Sequence, residues 1–274
     1  MRIFKTILDF YIESSLHVAL AVYALIRITF FKLNIPYDEP VAYFGFYGTI
    51  VGYNFIKYDE LARIKKVELT TKFKLIIALS VLSFFASVFY FLQLTFFTRL
   101  IGILVLLITI LYTLPLFPKR ENMRNWSGIK IYLVAIAWVG VTVVLPVVNK
   151  ELDFSFEIAF KCFQRFLFVF ILMLLFEIID LQFDATPLKT IPQRIGIQKT
   201  KFINYLLIVF FLLLEFFTPN FNGNQFVVSL LVSFILFGFT FFANSNRNKY
   251  YTSFWVESVP FFWLVLLLVF GQHF

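Results

Sequence analysis

The chain has 274 residues, of which 61% are hydrophobic and 15% charged, with a mean hydropathy of +0.86 and a formal net charge of +8. Soluble domains carry about 45–50% apolar and 25% charged residues, so a soluble globular protein is excluded and an integral membrane protein is expected. The single cysteine, Cys162, rules out an intrachain disulfide and a cysteine-based metal site.

Apolar stretches long enough to cross a bilayer, about 17–25 residues, recur nine times. They lie near 8–31, 40–57, 73–91, 94–116, 130–148, 157–180, 202–218, 225–243 and 252–271. Alternation of the β-barrel kind is absent, and helices satisfy their own backbone groups in lipid. The expected fold is all-α: a polytopic bundle of about nine transmembrane helices, with residues 1–274 as one domain. The first stretch is not read as a cleavable signal, because Asp9, Glu13 and His17 interrupt its apolar core.

Polar residues within these stretches follow in chain order. Asp9, Glu13 and His17 recur every fourth residue in the first, so they share a face. They would line an acceptor pocket or a proton path, or else form a local hydrogen-bonded group with a packed histidine. The second stretch closes on "GYNFIKYDELAR", where Asp59 is explained by an i,i+4 pair with Arg63. A π-bulge would be needed to turn Asp59 round toward Asn54. Glu157, Lys161 and Arg165 open the sixth stretch and are read as consecutive i,i+4 pairs. Glu257 enters the ninth, facing a central cavity or answering the helix dipole. Trp126, Trp138, Trp255 and Trp263 are read as interfacial or packing residues.

Charge sets the orientation. The gaps near 57–74, 118–130, 189–201 and 247–249, with Arg2 and Lys5, collect 18 of the 24 basic residues. These are alternate loops, so by the positive-inside rule the N-terminus is cytoplasmic and the C-terminus outside. The expected location is the bacterial inner (plasma) membrane. The basic excess is accounted for by topology and attraction to anionic membrane lipid, with no nucleic-acid partner implied.

The sixth stretch ends in "FEIIDLQFDATPLKTIPQRIG". At roughly 100° per residue, Glu177, Asp180 and Asp184 fall at about 0°, −60° and −20° on one helix face. Three carboxylates there repel one another, and a helix C-terminus is the wrong end for negative charge. Mg²⁺ is the expected compensating cation, because it takes carboxylate oxygens and shares them with substrate phosphates.

This segment resembles the second signature of the UbiA superfamily of intramembrane prenyltransferases, D-x-x-D-x-x-x-D followed by a Lys-Thr-x-Pro…Gly tail. Glu177, Asp180 and Asp184 take the acidic positions, and Lys189, Thr190, Pro192 and Gly196 match the tail. The first signature of the family, N-x-x-x-D-x-x-x-D, keeps only Asn54; Tyr58 and Ala62 stand at its aspartate positions. The resemblance implies a nine-helix bundle in which Glu177, Asp180 and Asp184 hold Mg²⁺, with Asp180, Asp184 and Asn54 as catalytic residues. "LYTLPLFPKRENMRN" is similar to the family's Tyr…Lys-Arg segment. It implies that Tyr112, Lys119 and Arg120, together with Lys189, bind substrate, although Lys119 and Arg120 equally fit the positive-inside bias. The implied reaction is Mg²⁺-dependent transfer of a prenyl group from a polyprenyl diphosphate to a small aromatic or lipid acceptor within the membrane. The alternative is a catalytically degenerate relative that binds or presents an isoprenoid lipid. A transporter is a weaker third option, lacking any inverted repeat.

Overall fold

The computed structural model describes residues 2–64, 70–116, 123, 126, 128–182, 189–218 and 221–271. Among them the ordered segments are helices, with no strand: α1 (Arg2–Glu13), α2 (Leu16–Lys32), α3 (Glu39–Ile64), α4 (Thr71–Phe91), α5 (Phe96–Thr113), α6 (Lys130–Val139), α7 (Leu145–Asn149), α8 (Phe156–Asp180), α9 (Ile191–Ile195), α10 (Ile197–Leu213), α11 (Gly223–Phe242) and α12 (Val259–Phe270). Side-chain caps start several of them. Thr70 accepts from the Phe73 amide at 3.3 Å, Ser155 from Ile158 at 3.4 Å, and Asn222 from Asn224 at 2.9 Å. Each of these supplies an acceptor to a donor that the first turn leaves unpaired.

Two rods contain π-helical turns, Gly140–Val144 and Tyr251–Val256, each shortly before a proline, Pro146 or Pro260. A proline has no N–H and crowds the carbonyl a turn before it, and a widened turn relieves both problems.

Seven helical segments are long and apolar enough to cross a membrane, or eight if α1 and α2, bent by 60°, count as one span. The expected nine is not confirmed. The difference lies in α3, which at 26 residues is about 39 Å long. It carries Tyr43, Tyr47, Tyr53, Asn54, Lys57 and Tyr58 and falls outside that apolar class.

The most apolar stretch of α8 is 72% buried, against 17% for α4 and 22% for α5, so α8 is the pillar of the bundle and α4 and α5 stand at its rim. Their Leu82, Phe85, Phe89, Phe96 and Phe97 point outward, where lipid tails are as apolar as a protein core. One core cluster joins Leu25 and Ile28 of α2 to Phe168 and Ile171 of α8, Phe211 of α10, Val232 of α11 and Trp263 of α12. A second joins Ile26 of α2 to Val41 and Ala42 of α3 and Leu145 of α7. Helix α2 serves both because Ala19, Ala21 and Ala24 let its backbone come close to its neighbours. At Gly45 a Cβ would stand 2.4 Å from Ile26 Cδ1, so a larger residue there would require the end of the Ile26 side chain to move.

Candidate functional site

The acidic end of α8 is built around Glu177, which is 1% exposed. Its Oε2 accepts a hydrogen bond from the Ile191 amide at 3.0 Å. Ile191 opens α9, so this carboxylate answers one of the donors a helix start leaves unpaired, at the end where negative charge is favoured. Thr190 N donates to Gln193 Oε1 at 3.0 Å and closes the same turn. Gly196 then ends α9 with φ of 82°, a backbone state that glycine enters without strain. The Lys-Thr-x-Pro…Gly tail thus folds back onto α8 through Glu177, and α10 starts directly after it. Asp180 is half-buried, three residues beyond Glu177 and on the same side of the helix. Lys189 is exposed, in the left-handed region at φ 47°. Asp184, Lys119 and Arg120 lie outside the described residues. No group of three or more His, Cys, Asp or Glu among the described residues is arranged to hold a metal ion.

Asn54 is buried and engaged on both sides of its amide. Its Nδ2 donates to Ser14 O at 3.1 Å and to Ser80 Oγ at 2.8 Å, and its Oδ1 accepts from Ser15 Oγ at 2.8 Å. Lys57 donates to Ile12 O at 3.2 Å and Ser15 Oγ at 3.0 Å, and the Tyr58 hydroxyl donates to Glu13 O at 2.9 Å. Apart from the Ser15 hydroxyl, these acceptors are carbonyls at the end of α1, next to the bend where Ser15 takes the left-handed conformation at φ 63°. What remains of the first signature therefore brackets the α1–α2 bend to α3 and α4, capping carbonyls that the helix cannot pair itself. Asn54→Ala is expected to lower stability by about 2 kcal/mol and Tm by about 4–8 °C, read by thermal unfolding of the purified protein. An unchanged Tm would show that the bend holds without this bracket.

Helix α3 is continuous and contains no π-bulge, so Asp59 is not turned toward Asn54; the side chain of Arg63, its expected partner, lies outside the described ones. The proposed stripe of Asp9, Glu13 and His17 is split by the bend. His17 turns inward: Nδ1 meets the Tyr11 hydroxyl at 2.9 Å, Nε2 meets Phe254 O at 2.9 Å, and the ring stacks on Phe254. Asp9 and Glu13 instead face loop and helix-start residues. Tyr250 donates to Asp9, and the Lys249 ammonium lies 3.8 Å from the same carboxylate. Glu13 pairs with Lys72 at the start of α4 and with Lys249 at 3.8 Å.

Behind the bend lies a polar group that local spacing does not reveal. Lys57 of α3 and Glu257, between the second π turn and α12, lie within electrostatic reach of each other, and Tyr11 and Tyr53 lie within reach of Glu257. Tyr53 accepts from Trp138 Nε1 at 2.8 Å, and buried Tyr112 is within electrostatic reach of it. Tyr112 and Glu257 thus both lie within electrostatic reach of Tyr53. Lys57, counted in the sequence as a topological charge, belongs to the same polar group. Its one signal was position: three residues after Asn54 in the same helix.

No protein-family model matches the sequence, and no curated protein matches it. Two solved structures share the fold. A UbiA homologue from Aeropyrum pernix K1, in its apo form, superposes with a TM-score of 0.63 at 16% identity, covering 94% of this chain and 97% of that one. A digeranylgeranylglyceryl phosphate synthase gives a TM-score of 0.58 at 13% identity, covering 99% of each chain. The resemblance carried by the acidic motif is thus matched by the fold along nearly the whole chain.

Proposed function

We propose that this UbiA-like chain is an intramembrane prenyltransferase that moves a prenyl group from a polyprenyl diphosphate to a small aromatic or lipid acceptor. The observation that carries the reading is the acidic end of α8. Helix α8, the most buried of the seven apolar spans of a UbiA-like bundle, ends in Glu177 and Asp180, with the Lys189–Gly196 tail docked onto Glu177. Ile131 and Leu174, with Ile191 packed against them, are apolar neighbours of that end and would suit an isoprenoid chain.

The donor set fits one Mg²⁺ rather than two. Glu177 and Asp180, with Asp184 after them, would supply carboxylate oxygens, and one or two carboxylates plus substrate phosphates suffice for this ion. On α3, Asn54 already uses both sides of its amide, and Tyr58 and Ala62 stand where the first signature has its aspartates, so those positions offer no second carboxylate set. When bound, Mg²⁺ would supply charge neutralisation to the diphosphate leaving group. In the reaction the bond between prenyl C1 and oxygen breaks, its electron pair leaves with the diphosphate, and the acceptor bonds to C1 and gives up a proton. Lys189, with Lys119 and Arg120, would share the diphosphate charge, and Tyr112 would contact substrate. The proposed orientation puts this end of α8 and the N-terminus on the cytoplasmic side of a bacterial inner membrane, with the C-terminus outside.

The test is diphosphate release by the purified protein in lipid, from donors of several chain lengths with pooled acceptors. Turnover that needs Mg²⁺ and stops with EDTA is expected. Prenyl-lipid binding that survives EDTA, without any release of diphosphate, would overturn the enzyme reading in favour of lipid binding.

A further inference from the structure

At the other end of the bundle interior a charged cluster lies outside the acidic site. Arg165 and Glu177 are both on α8, about 18 Å apart along its axis. Sequence spacing pairs Lys161 and Arg165 along their own helix, but the fold turns both into the core. Glu215, in the turn that closes α10, is the hub. Its carboxylate takes Lys32, Gln164 Nε2 at 2.9 Å and Ser229 Oγ at 2.6 Å on one oxygen, and Lys161 at 3.4 Å on the other. Lys32, Lys161, Arg165 and Glu215 are each less than a tenth exposed.

The charges do not balance. Three buried cations face one carboxylate, and that carboxylate is occupied by the two lysines. Arg165 meets neutral acceptors, Leu25 O at 3.0 Å and Thr29 Oγ1 at 3.4 Å. Its Nε is buried without a hydrogen-bond partner, and so is Trp263 Nε1. The Trp263 ring is close to two of the cations, 5.2 Å from Lys32 Nζ and 5.6 Å from the Arg165 guanidinium. Thr29, Lys32, Lys161, Gln164, Arg165 and Trp263 line a cavity of about 10 Å³, measured as room for the centre of a water-sized sphere. A cavity holding a single water has about 10–15 Å³ on that scale. Excess charge in a bundle interior is strongly unfavourable unless it is paired.

We infer that this cavity is a binding site for one small inorganic anion of chloride type, held by Arg165 Nε–H and Trp263 Nε1–H and balanced by the Lys32 and Lys161 ammonium groups. The inference stands independently of the prenyl-transfer reading, since no residue is common to the two sites. The anion would act as a structural ion that ties α2, α8 and α12 together.

The test compares purified protein in chloride and in gluconate at one ionic strength, because gluconate is too large for the cavity. The melting temperature is expected to rise by about 2–4 °C in chloride, the shift of an ion contributing about 1 kcal/mol. Trp263→Phe keeps the aromatic ring and removes the donor, so it should lose most of the chloride shift; Arg165→Gln, if it folds, should lose it too. Crystals grown in chloride should give a long-wavelength anomalous peak beside both donors. Equal melting temperatures in the two salts, a shift that Trp263→Phe retains in full, or density there without anomalous signal would each overturn the site and leave a water in its place.

Discussion

Asp180→Asn is expected to lower the rate of diphosphate release by about 10²–10³-fold, which corresponds to about 3–4 kcal/mol of lost transition-state stabilisation. Asp180 is chosen over Glu177 because the two carboxylates are held differently. Glu177 is buried and accepts from the Ile191 amide, so changing it also loosens the start of α9. Asp180 is half-buried at the end of α8, and asparagine keeps its shape while removing the charge that would hold Mg²⁺ against a diphosphate. The loss should fall on turnover with little change in melting temperature, both measured on the same preparation. Turnover within a factor of three of the parent would sink the metal-holding role of this carboxylate.

Glu215→Gln is expected to be the most destabilising single change away from that site. It keeps the volume and leaves Lys32 and Lys161 buried without their counter-charge. Removing one partner of a buried ion pair costs about 3–5 kcal/mol, so Tm should fall by about 10 °C or more. The mechanism is separable from simple packing loss. Adding Lys32→Met to Glu215→Gln removes an unpaired cation and should recover part of the loss, whereas two independent packing defects would add. A Tm within 1 °C of the parent for Glu215→Gln would mean that the lysines are already neutral or paired elsewhere.

Both sites set a limit on reading faces from spacing alone. The spacing of Glu177 and Asp180 located the candidate site because both belong to one uninterrupted helix, where angle follows directly from residue number. The same arithmetic misled for Asp9, Glu13 and His17, because the left-handed Ser15 bends the chain between them by 60°. It also assigned Lys161 and Arg165 to their own helix when their partners are Glu215, Leu25 and Thr29. An i,i+4 pair on an exposed helix contributes only about 0.2–0.5 kcal/mol. A buried cation that finds a carboxylate avoids a far larger desolvation penalty, so the tertiary partner wins.

By itself the sequence determined membrane residence, an all-helical chain, the approximate position of the long apolar helices and the acidic end of α8. Each of these follows from rules that act within a single segment. Lipid offers the backbone no other hydrogen-bond partner, and a helix fixes the angles between its own side chains. Only the tertiary structure decided what the polar residues do. It gave Asn54, Lys57 and Tyr58 to the bend between α1 and α2, brought Glu257 within electrostatic reach of Lys57, set Lys32 and Arg165 against the Trp263 ring, and gave Lys161 to Glu215. Those partners are separated by tens to hundreds of residues, and a buried charge pairs with the group that packing brings alongside it, which no local periodicity encodes.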